Sequence, residues 1–373
     1  MAAMTAEKIG VTVGEGRTTI PVRNLWLLYL WCTSFYAHLP SPERVSAEQN
    51  VDHLQALAAK VLCEEVETRL QRAVTLQHVE RHEAVGAVRG RIDHLTTSRG
   101  GHLQRGRVIC RFEDLSPDTP RNRYVLAALD IAGRHLRRDR PGLANQCSTA
   151  ATRLERLGVR TGPPDPATPR TEVFGHFDGQ DRLMVSAAQL VIDWALPSHS
   201  LGGLPVRRLD YSERGLRDLY ERALRNFYRR NLPSCRVGAR RLSWPIAREE
   251  GDPRMYFPSM RTDISIDRPD GSQLIIDTKF TSALEESHRG SRQSFKSAHL
   301  YQLYAYIRTQ DGGSGGVRSV EGLLLYPRTS GTSDIDVTAI IQRHRMRVAT
   351  VDLAAPADAI RSRLLNLVAA AQH

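Results

Sequence analysis

The sequence predicts a multidomain protein that combines α+β and α/β regions, and three observations support this fold class. Short apolar-alternating runs are concentrated in residues 1–112 and predict a β-rich N-terminal region. Helix-spaced apolar residues dominate 113–205 and predict a helical middle region. Residues 206–373 read helix, hairpin, helix, strand, a pattern typical of a mixed sheet flanked by helices.

The N-terminal region contains strand patterns and two apolar segments. Thr18–Val22, Val74–Gly90 and Val108–Phe112 are predicted strands, whereas 51–72 has helical spacing with charges on the opposite face. The apolar run Leu25–Phe35 is shorter than the ~20 residues that a membrane-spanning helix needs, and it lacks a clear small-residue cleavage site. We therefore expect a buried segment, and no membrane association.

The middle region begins with a clear helix signal. Asp118 and Thr119 can cap a helix whose first turn holds Pro120, because proline lacks the N–H that this turn leaves unpaired. The predicted helices are Pro120–Arg137, Ala144–Arg156 and Arg182–Ala195.

Composition limits the possible partners and chemistry. The 373 residues carry a formal net charge of +11, which favours a polyanionic partner. The five cysteines are widely spaced and include no CxxC pair, so we expect neither a zinc ribbon nor a disulfide framework, and a reducing cytoplasm is the predicted location. No lysine follows a glycine, so the sequence contains no Walker A loop, and any nucleotide-driven step has to come from a partner.

The most informative stretch is Arg261–Phe280, RTDISIDRPDGSQLIIDTKF, which contains two apolar-alternating runs around a turn. The turn residues are Pro269, Asp270 and Gly271. Proline restricts φ at the first corner, and glycine tolerates the left-handed conformation that closes the loop. These residues predict a three-residue hairpin loop with a type I turn and a glycine bulge.

The predicted hairpin brings acidic and basic side chains together. Pairing symmetric about Asp270 sets Asp263 across from Asp277, and Asp277 shares a strand face with Lys279. Two carboxylates and an ammonium beside one another outline a metal-and-base site. The alternative is a solvated strand face. Against it, the chain has only four lysines among 52 basic residues, and arginine would serve equally well as a surface cation.

Two flanking helices can contribute to this site. A helix beginning near Ser212 has Glu221 at the edge of its buried stripe, where it can face the hairpin. A helix over 295–308 places Gln302 and Tyr306 one turn apart on one face. Four arginines of the first helix are predicted to be exposed, either as a solvated face or as DNA phosphate contacts: Arg222, Arg225, Arg229 and Arg230.

This constellation resembles the PD-(D/E)XK nuclease superfamily: Glu221 on a helix, Asp263 at a strand start, Asp277-Thr278-Lys279 on the next strand, and Gln302-xxx-Tyr306 on the following helix. Most of the chain resembles the McrC family, the nuclease subunits of McrBC modified-cytosine restriction systems. The supporting stretches are Ile20–Leu25, Arg89–Asp93, Asp118–Arg123, Leu219–Glu221 and the hairpin. Thr262 replaces the proline that usually precedes the first aspartate, a change that leaves the carboxylate in place.

The resemblance implies that 206–373 is a Mg²⁺-dependent nuclease domain, with Mn²⁺ as a possible substitute. Asp263 and Asp277 are expected to hold the metal, and the Thr278 carbonyl and Glu221 to complete its ligand shell.

The remaining residues have more than one expected role. Lys279 is expected to orient or deprotonate the attacking water, or to stabilise the oxygens of the phosphorane-like transition state. Gln302 and Tyr306 are expected to position Lys279 or the phosphate, with helix packing as the alternative.

The resemblance also implies double-stranded DNA as substrate and a McrB-like AAA+ GTPase ring as partner, on which residues 1–112 dock and whose GTP hydrolysis they stimulate. Two alternatives remain at this point. One is a non-catalytic adaptor of an AAA+ partner, and the other is a stand-alone repair nuclease of the RecB type.

Overall fold

The protein is a mixed α/β protein with a six-stranded mixed sheet. A computed structural model describes residues 8–13, 16–72, 74, 76–172, 174, 179–195, 213–244, 246, 256–286, 293–311, 319–329 and 331–369. The helices within these ranges are each too short or too polar to span a membrane.

Helices make up most of the first 72 residues. The elements are β1 (Lys8–Val13), β2 (Gly16–Pro21), α1 (Val22–Cys32), α2 (Ser34–His38), α3 (Ser41–Gln49) and α4 (Leu54–Arg72). The strand predicted at Thr18–Val22 corresponds to β2, and the helix predicted at 51–72 to α4. The prediction of a β-rich region over 1–112 is wrong, because the apolar run from Leu25 forms α1, where its large side chains are buried.

A small sheet and a group of helices follow. The elements are β3 (Gln77–Val85), β4 (Arg91–Ile92), α5 (His94–Arg99), β5 (Val108–Ser116), α6 (Pro120–His135), α7 (Pro141–Arg156), α8 (Thr168–Thr171) and α9 (Gly179–Ala195). Strand β5 pairs antiparallel with both β3 and β4. The Thr119 hydroxyl accepts a hydrogen bond from the Asn122 N–H at 3.0 Å, which confirms the predicted cap of α6.

The six-stranded sheet is formed by the C-terminal part of the chain. The elements are α10 (Glu213–Asn231), β6 (Arg236–Gly238), β7 (Arg241–Leu242), β8 (Met260–Arg261), β9 (Ile264–Asp267), β10 (Gln273–Thr278), β11 (Leu284–Glu286), β12 (Gln293–Phe295), α11 (Ser297–Asp311), β13 (Val320–Pro327), β14 (Asp336–Ile341), β15 (His344–Val351) and α12 (Ala357–Val368). The strand order of the six-stranded sheet is β14-β15-β13-β10-β9-β6. Strand β13 is parallel to β10 and β15, and the other neighbouring strands are antiparallel. The predicted mixed sheet is therefore confirmed. Strands β6, β7, β11, β12 and β14 were not predicted.

The hairpin from β9 to β10 has the predicted register. Ile264 pairs with Ile276 and Asp267 with Gln273, which is symmetric about Asp270. Gly271 adopts a φ of +83° and donates its N–H to the Arg268 carbonyl at 3.0 Å. A β-carbon at this φ is unfavourable, which explains glycine at the bulge.

The chain forms two compact units whose limits differ from the three predicted regions. One unit combines Met1–Asp52 with Val206–His373, and the other is His53–Pro205. The first unit is formed by segments distant in the sequence, which periodicity within each segment does not predict.

A buried carboxylate joins the two segments of the first unit. Glu48 on α3 is 2% exposed, and it accepts hydrogen bonds from Trp31 Nε1 at 3.0 Å and the Tyr36 hydroxyl at 2.7 Å. Arg361 on α12 donates to both of its oxygens at 2.9 Å and also to Asn231. A buried charge is stable only when it is paired in this way, so Glu48 ties the N-terminal segment to the C-terminal helix.

We predict that Glu48→Ala lowers the free energy of unfolding by about 3–5 kcal/mol, because it leaves the Arg361 guanidinium without its acid in a largely buried site. Urea unfolding of the full chain measures this change. Glu43→Ala is the matched control, since Glu43 is an exposed acid on the same helix and its loss should cost about 0.5 kcal/mol or less. Equal effects of the two substitutions would contradict the role given to Glu48.

Candidate active site

The site is at one end of β10. This strand lies between β9 and β13 in the sheet, and all of its residues are buried. Asp277 is the penultimate residue of β10 and is 1% exposed. One further step in the β9–β10 register places Asp263 across from Asp277. The sheet therefore brings the two carboxylates of the sequence prediction to the same end of the hairpin.

Asp263 is held by the neighbouring strand. Its Oδ2 accepts hydrogen bonds from the Thr278 N–H at 2.7 Å and the Thr278 hydroxyl at 2.8 Å. Its Oδ1 has no hydrogen-bond partner among the described residues. The sequence prediction sets Asp263 across from Asp277, and in the structure the Asp263 carboxylate contacts Thr278, the residue that follows Asp277.

Asp277 is a carboxyl group under electrostatic strain. Burial raises its pKa to about 6, the Lys279 ammonium opposes this rise, and the negative charge of Asp263 adds to it. Lys279 Nζ lies 2.8 Å from Asp277 Oδ2 in an ion pair. That oxygen accepts no hydrogen bond of ordinary geometry from the described residues. A further cation at this oxygen would offset both the desolvation cost of the buried charge and the repulsion from Asp263.

A chain of polar contacts continues from Lys279 along α11. Lys279 Nζ donates to Gln302 Oε1 at 2.7 Å, and Gln302 Nε2 donates to the Tyr306 hydroxyl at 2.7 Å. The two residues that the sequence placed on one helix face thus contact each other, and Gln302 also contacts Lys279. Asp277 and Lys279 also lie on one face of the strand, as predicted.

Glu221 lies near the site without joining the two aspartates directly. Burial and the charge of Asp263 raise the pKa of Glu221. Its Oε1 accepts a hydrogen bond from Arg225 Nη2 at 2.6 Å within helix α10. Within the described ranges, no group of three His, Cys, Asp or Glu side chains is arranged to hold a metal ion.

The arginines of α10 differ in exposure. Arg225 is only 13% exposed and neutralises Glu221, so the prediction that it decorates an exposed face is wrong. The helix turns Arg225 toward the acidic end of the sheet because it lies one turn after Glu221. The other three predicted arginines are exposed: Arg222, Arg229 and Arg230.

The donor set at this site fits Mg²⁺. This ion is usually held by one or two carboxylates, with the remaining positions taken by water and substrate phosphate. Asp263 Oδ1 accepts no hydrogen bond from the described residues, and Asp277 Oδ2 has only the Lys279 ammonium, 2.8 Å away, as a partner among them. Two carboxylates with such oxygens provide what this ion requires, and Glu221 would have to exchange Arg225 for the metal to take part.

A second pair of residues, His299 and Tyr326, lies near Lys279 and is not among the predicted site residues. His299 Nδ1 lies 2.9 Å from the hydroxyl of Tyr326, a buried residue on β13. Burial and the charges of Lys279 and Lys296 lower the pKa of His299 to about 4, so this imidazole is neutral near pH 7. His299 precedes Gln302 by three positions, and this helical spacing was the available signal.

We predict that Asp277→Asn stabilises the metal-free protein at neutral pH. Well below pH 3.8, Asp277 is protonated in both states, and stability falls as pH rises toward the folded pKa of about 6 because only the folded state buries the charge. At about pH 8, asparagine should raise the free energy of unfolding by roughly 3 kcal/mol, a difference that falls to about 0.5 kcal/mol near pH 4. Urea unfolding in EDTA at both pH values measures it.

The control for this prediction is Asp270→Asn. Contacts with Ser272 lower the pKa of Asp270, so removing this carboxylate should act in the opposite direction. A gain for Asp277→Asn that is the same at both pH values would contradict the assigned cause.

Comparisons with known proteins identify similar sequences and structures. A family model described as "McrBC 5-methylcytosine restriction system component" matches residues 231–327, which include the hairpin and helix α11. The chain is 24% identical over 360 residues to the type IV methyl-directed restriction enzyme EcoKMcrBC of Escherichia coli K12, covering 93% of this chain and 97% of that protein.

Two solved structures are from Thermococcus gammatolerans. One contains McrB AAA+ hexamers with bound McrC and matches at 16% identity and a TM-score of 0.45, covering 84% of this chain and 68% of that chain. The other is the McrBC complex, which matches at 17% identity and a TM-score of 0.38, covering 60% and 66%. The family-model match and the near full-length sequence match show that this chain is similar to components of McrBC restriction systems.

Proposed function

We propose that this protein is the Mg²⁺-dependent DNA endonuclease subunit of a modification-dependent restriction system. The observation that carries the proposal is the end of β10, where Asp277, Lys279 and the neighbouring Asp263 are brought together. The net charge of +11 favours a polyanionic substrate such as DNA.

In the proposed site, Asp263 and Asp277 would hold Mg²⁺ through their carboxylate oxygens, beside the Lys279 ammonium that pairs with Asp277. A bound Mg²⁺ supplies charge neutralisation at the phosphate and lowers the pKa of water. The hydrogen bonds from Thr278 fix the Asp263 carboxylate, so little reorganisation is needed when the substrate binds.

Lys279 acts in this proposal as a fixed positive charge. Its ammonium is held on one side by Asp277 and on the other by Gln302 Oε1. The Gln302 amide cannot turn freely, because its Nε2 donates to Tyr306 and its oxygen must then face Lys279. An ammonium held in this way can stabilise the negative charge that develops on the phosphate oxygens during hydrolysis.

The proposed partner is a McrB-like AAA+ GTPase ring, which this chain stimulates. The archaeal structure that resembles this chain contains McrB AAA+ hexamers with bound McrC. The sequence has no Walker A loop, so GTP hydrolysis falls to a separate chain. The description of the matching family names 5-methylcytosine, which makes methylated double-stranded DNA the first substrate to test. A cytoplasmic location belongs to the same proposal.

We predict that Asp277→Ala and Lys279→Ala each reduce DNA cleavage by at least ~10²-fold, because each removes a charge that stabilises the transition state. The assay uses the full chain with its GTPase partner, GTP, Mg²⁺ and methylated duplex DNA. EDTA should abolish cleavage, and excess Mg²⁺ should restore it.

Lys60→Ala is the matched control, since Lys60 is an exposed lysine on α4 and should be dispensable for cleavage. Stimulation of the partner's GTP hydrolysis should persist in both site variants, which separates lost chemistry from lost assembly. Full cleavage by either site variant would refute the assignment and favour a non-catalytic adaptor.

We also predict that substitutions at Gln302 and Tyr306 lower the rate of DNA cleavage to different extents. Gln302→Leu removes the acceptor that holds Lys279 and should lower kcat about 10- to 100-fold. Tyr306→Phe removes only the more distant hydroxyl and should have a smaller effect. Single-turnover cleavage at saturating DNA measures both.

Tyr304→Phe on the same helix is the control, because its hydroxyl contacts Gln342 instead of the Lys279 chain. If Gln302→Leu cleaved at the wild-type rate, Gln302 would serve only helix packing.

A further inference from the structure

A short strand pair beside the candidate site combines two features that the proposed function does not use. Strands β7 and β8 pair antiparallel, with Arg241 opposite Arg261. The pair is joined closely to the site, because the Thr262 N–H donates to the Arg240 carbonyl at 2.9 Å and the Arg240 N–H donates to the Thr262 hydroxyl at 3.0 Å. Asp263 is the next residue, so the strand pair and the acidic centre are held together.

The first feature is a pair of like charges directly across the strands. Such a pair is destabilising in an antiparallel ladder. Arg241 and Arg261 are both exposed, and neither lies within ion-pair distance of a carboxylate among the described residues, while the charge of Arg261 acts on Glu221 to lower the pKa of that carboxyl group. The neighbouring Arg240, in contrast, is paired with Asp267. The two exposed guanidinium groups therefore form a site where an external anion would be stabilising.

The second feature is a cluster of exposed aromatic side chains at the end of the same strand pair. Trp244 is 37% exposed, Tyr256 78% and Phe257 50%. The rings of Trp244 and Phe257 pack edge to face at 5.6 Å, and Trp244 Nε1 donates to the Pro258 carbonyl at 2.8 Å. Trp244 and Phe257 are thus held in place while their aromatic surface remains accessible, and the ring of Tyr256 is the most exposed of the three.

Arginines beside exposed aromatic rings are the combination that binds nucleic acid strands, through phosphate contacts and base stacking. We propose that this surface, formed by Arg241, Arg261, Trp244, Tyr256 and Phe257, binds a DNA strand with accessible base faces next to the cleavage site. The arginines bind backbone phosphates, and the aromatic side chains stack on bases. The proposal rests on the proposed function for the identity of the substrate. An apolar protein surface would leave the two arginines without a counter-charge.

The test measures DNA binding by the full chain in EDTA, so that no cleavage is required. Two fluorescein-labelled probes of the same sequence are compared, a single strand and a blunt duplex. The base faces are accessible in the single strand and stacked in the duplex. Fluorescence anisotropy is recorded over a range of salt concentrations, and the tryptophan emission is recorded with the unlabelled strand.

Arg241→Gln and Arg261→Gln should each reduce the magnitude of the salt slope for the single strand by about 0.7, the value for one lost phosphate contact. Arg156→Gln is the matched control, because Arg156 is an exposed arginine at the end of α7 without an ion pair among the described residues, and it should leave the slope unchanged.

Tyr256→Leu and Phe257→Leu keep apolar area but remove the aromatic face. Together they should weaken single-strand binding about tenfold or more and duplex binding much less, since stacking requires an open base. Binding of the single strand should quench Trp244 emission in the wild type, and this quenching should disappear in Trp244→Leu. Thermal unfolding midpoints close to that of the wild type establish that each variant folds.

Wild-type DNA binding by the arginine and leucine variants would overturn the inference, and so would an equal loss of single-strand and duplex binding in the leucine variant. Loss of binding to the GTPase partner with DNA binding intact would assign the surface to a protein and overturn it as well. A wild-type chain that binds DNA through this surface but does not cleave it with Mg²⁺ and its partner would support the inference and refute the proposed function.

Discussion

The burial of the Asp277 carboxylate in a central strand is the constraint on which the candidate site depends. Desolvation and the nearby charge of Asp263 both oppose its ionisation. Lys279 offsets part of this cost through the ion pair, and Gln302 holds Lys279 in place. A carboxylate arranged in this way favours any cation that can reach it, which is the electrostatic basis of the proposed metal site.

The topology of the sheet places the helix that holds Lys279. Strand β10 pairs with β9 through a tight hairpin and with β13 in parallel, and a parallel neighbour requires a crossover connection. Helix α11 lies within that crossover and packs against β13 at Gly322, where a β-carbon would lie 2.6 Å from Ile307 Cδ1. The close approach brings Gln302 of the same helix within hydrogen-bond distance of Lys279. The connection that completes the sheet therefore also positions the lysine.

Residues far from the site hold together the unit formed by Met1–Asp52 and Val206–His373. Glu48 and its partners join the N-terminal segment to α12, and Asn24 adds hydrogen bonds to the Leu353 and Ala355 carbonyls. These contacts connect positions more than three hundred residues apart. A division of the chain by local composition into 1–112, 113–205 and 206–373 could not anticipate them, because long-range pairing leaves no periodic signal in either partner.

The sequence by itself determined the hairpin and its register, because the turn residues around Asp270 allow only one symmetric pairing that buries both apolar faces. It also determined that Asp277 and Lys279 share a face, since side chains alternate along any strand. Only the tertiary structure decided that Asp263 binds Thr278 and that Arg225 neutralises Glu221. It also decided that the apolar run after Pro21 becomes a buried helix in the unit that contains the sheet. These outcomes depend on the distance and burial of groups from different elements, and local propensity contains neither quantity.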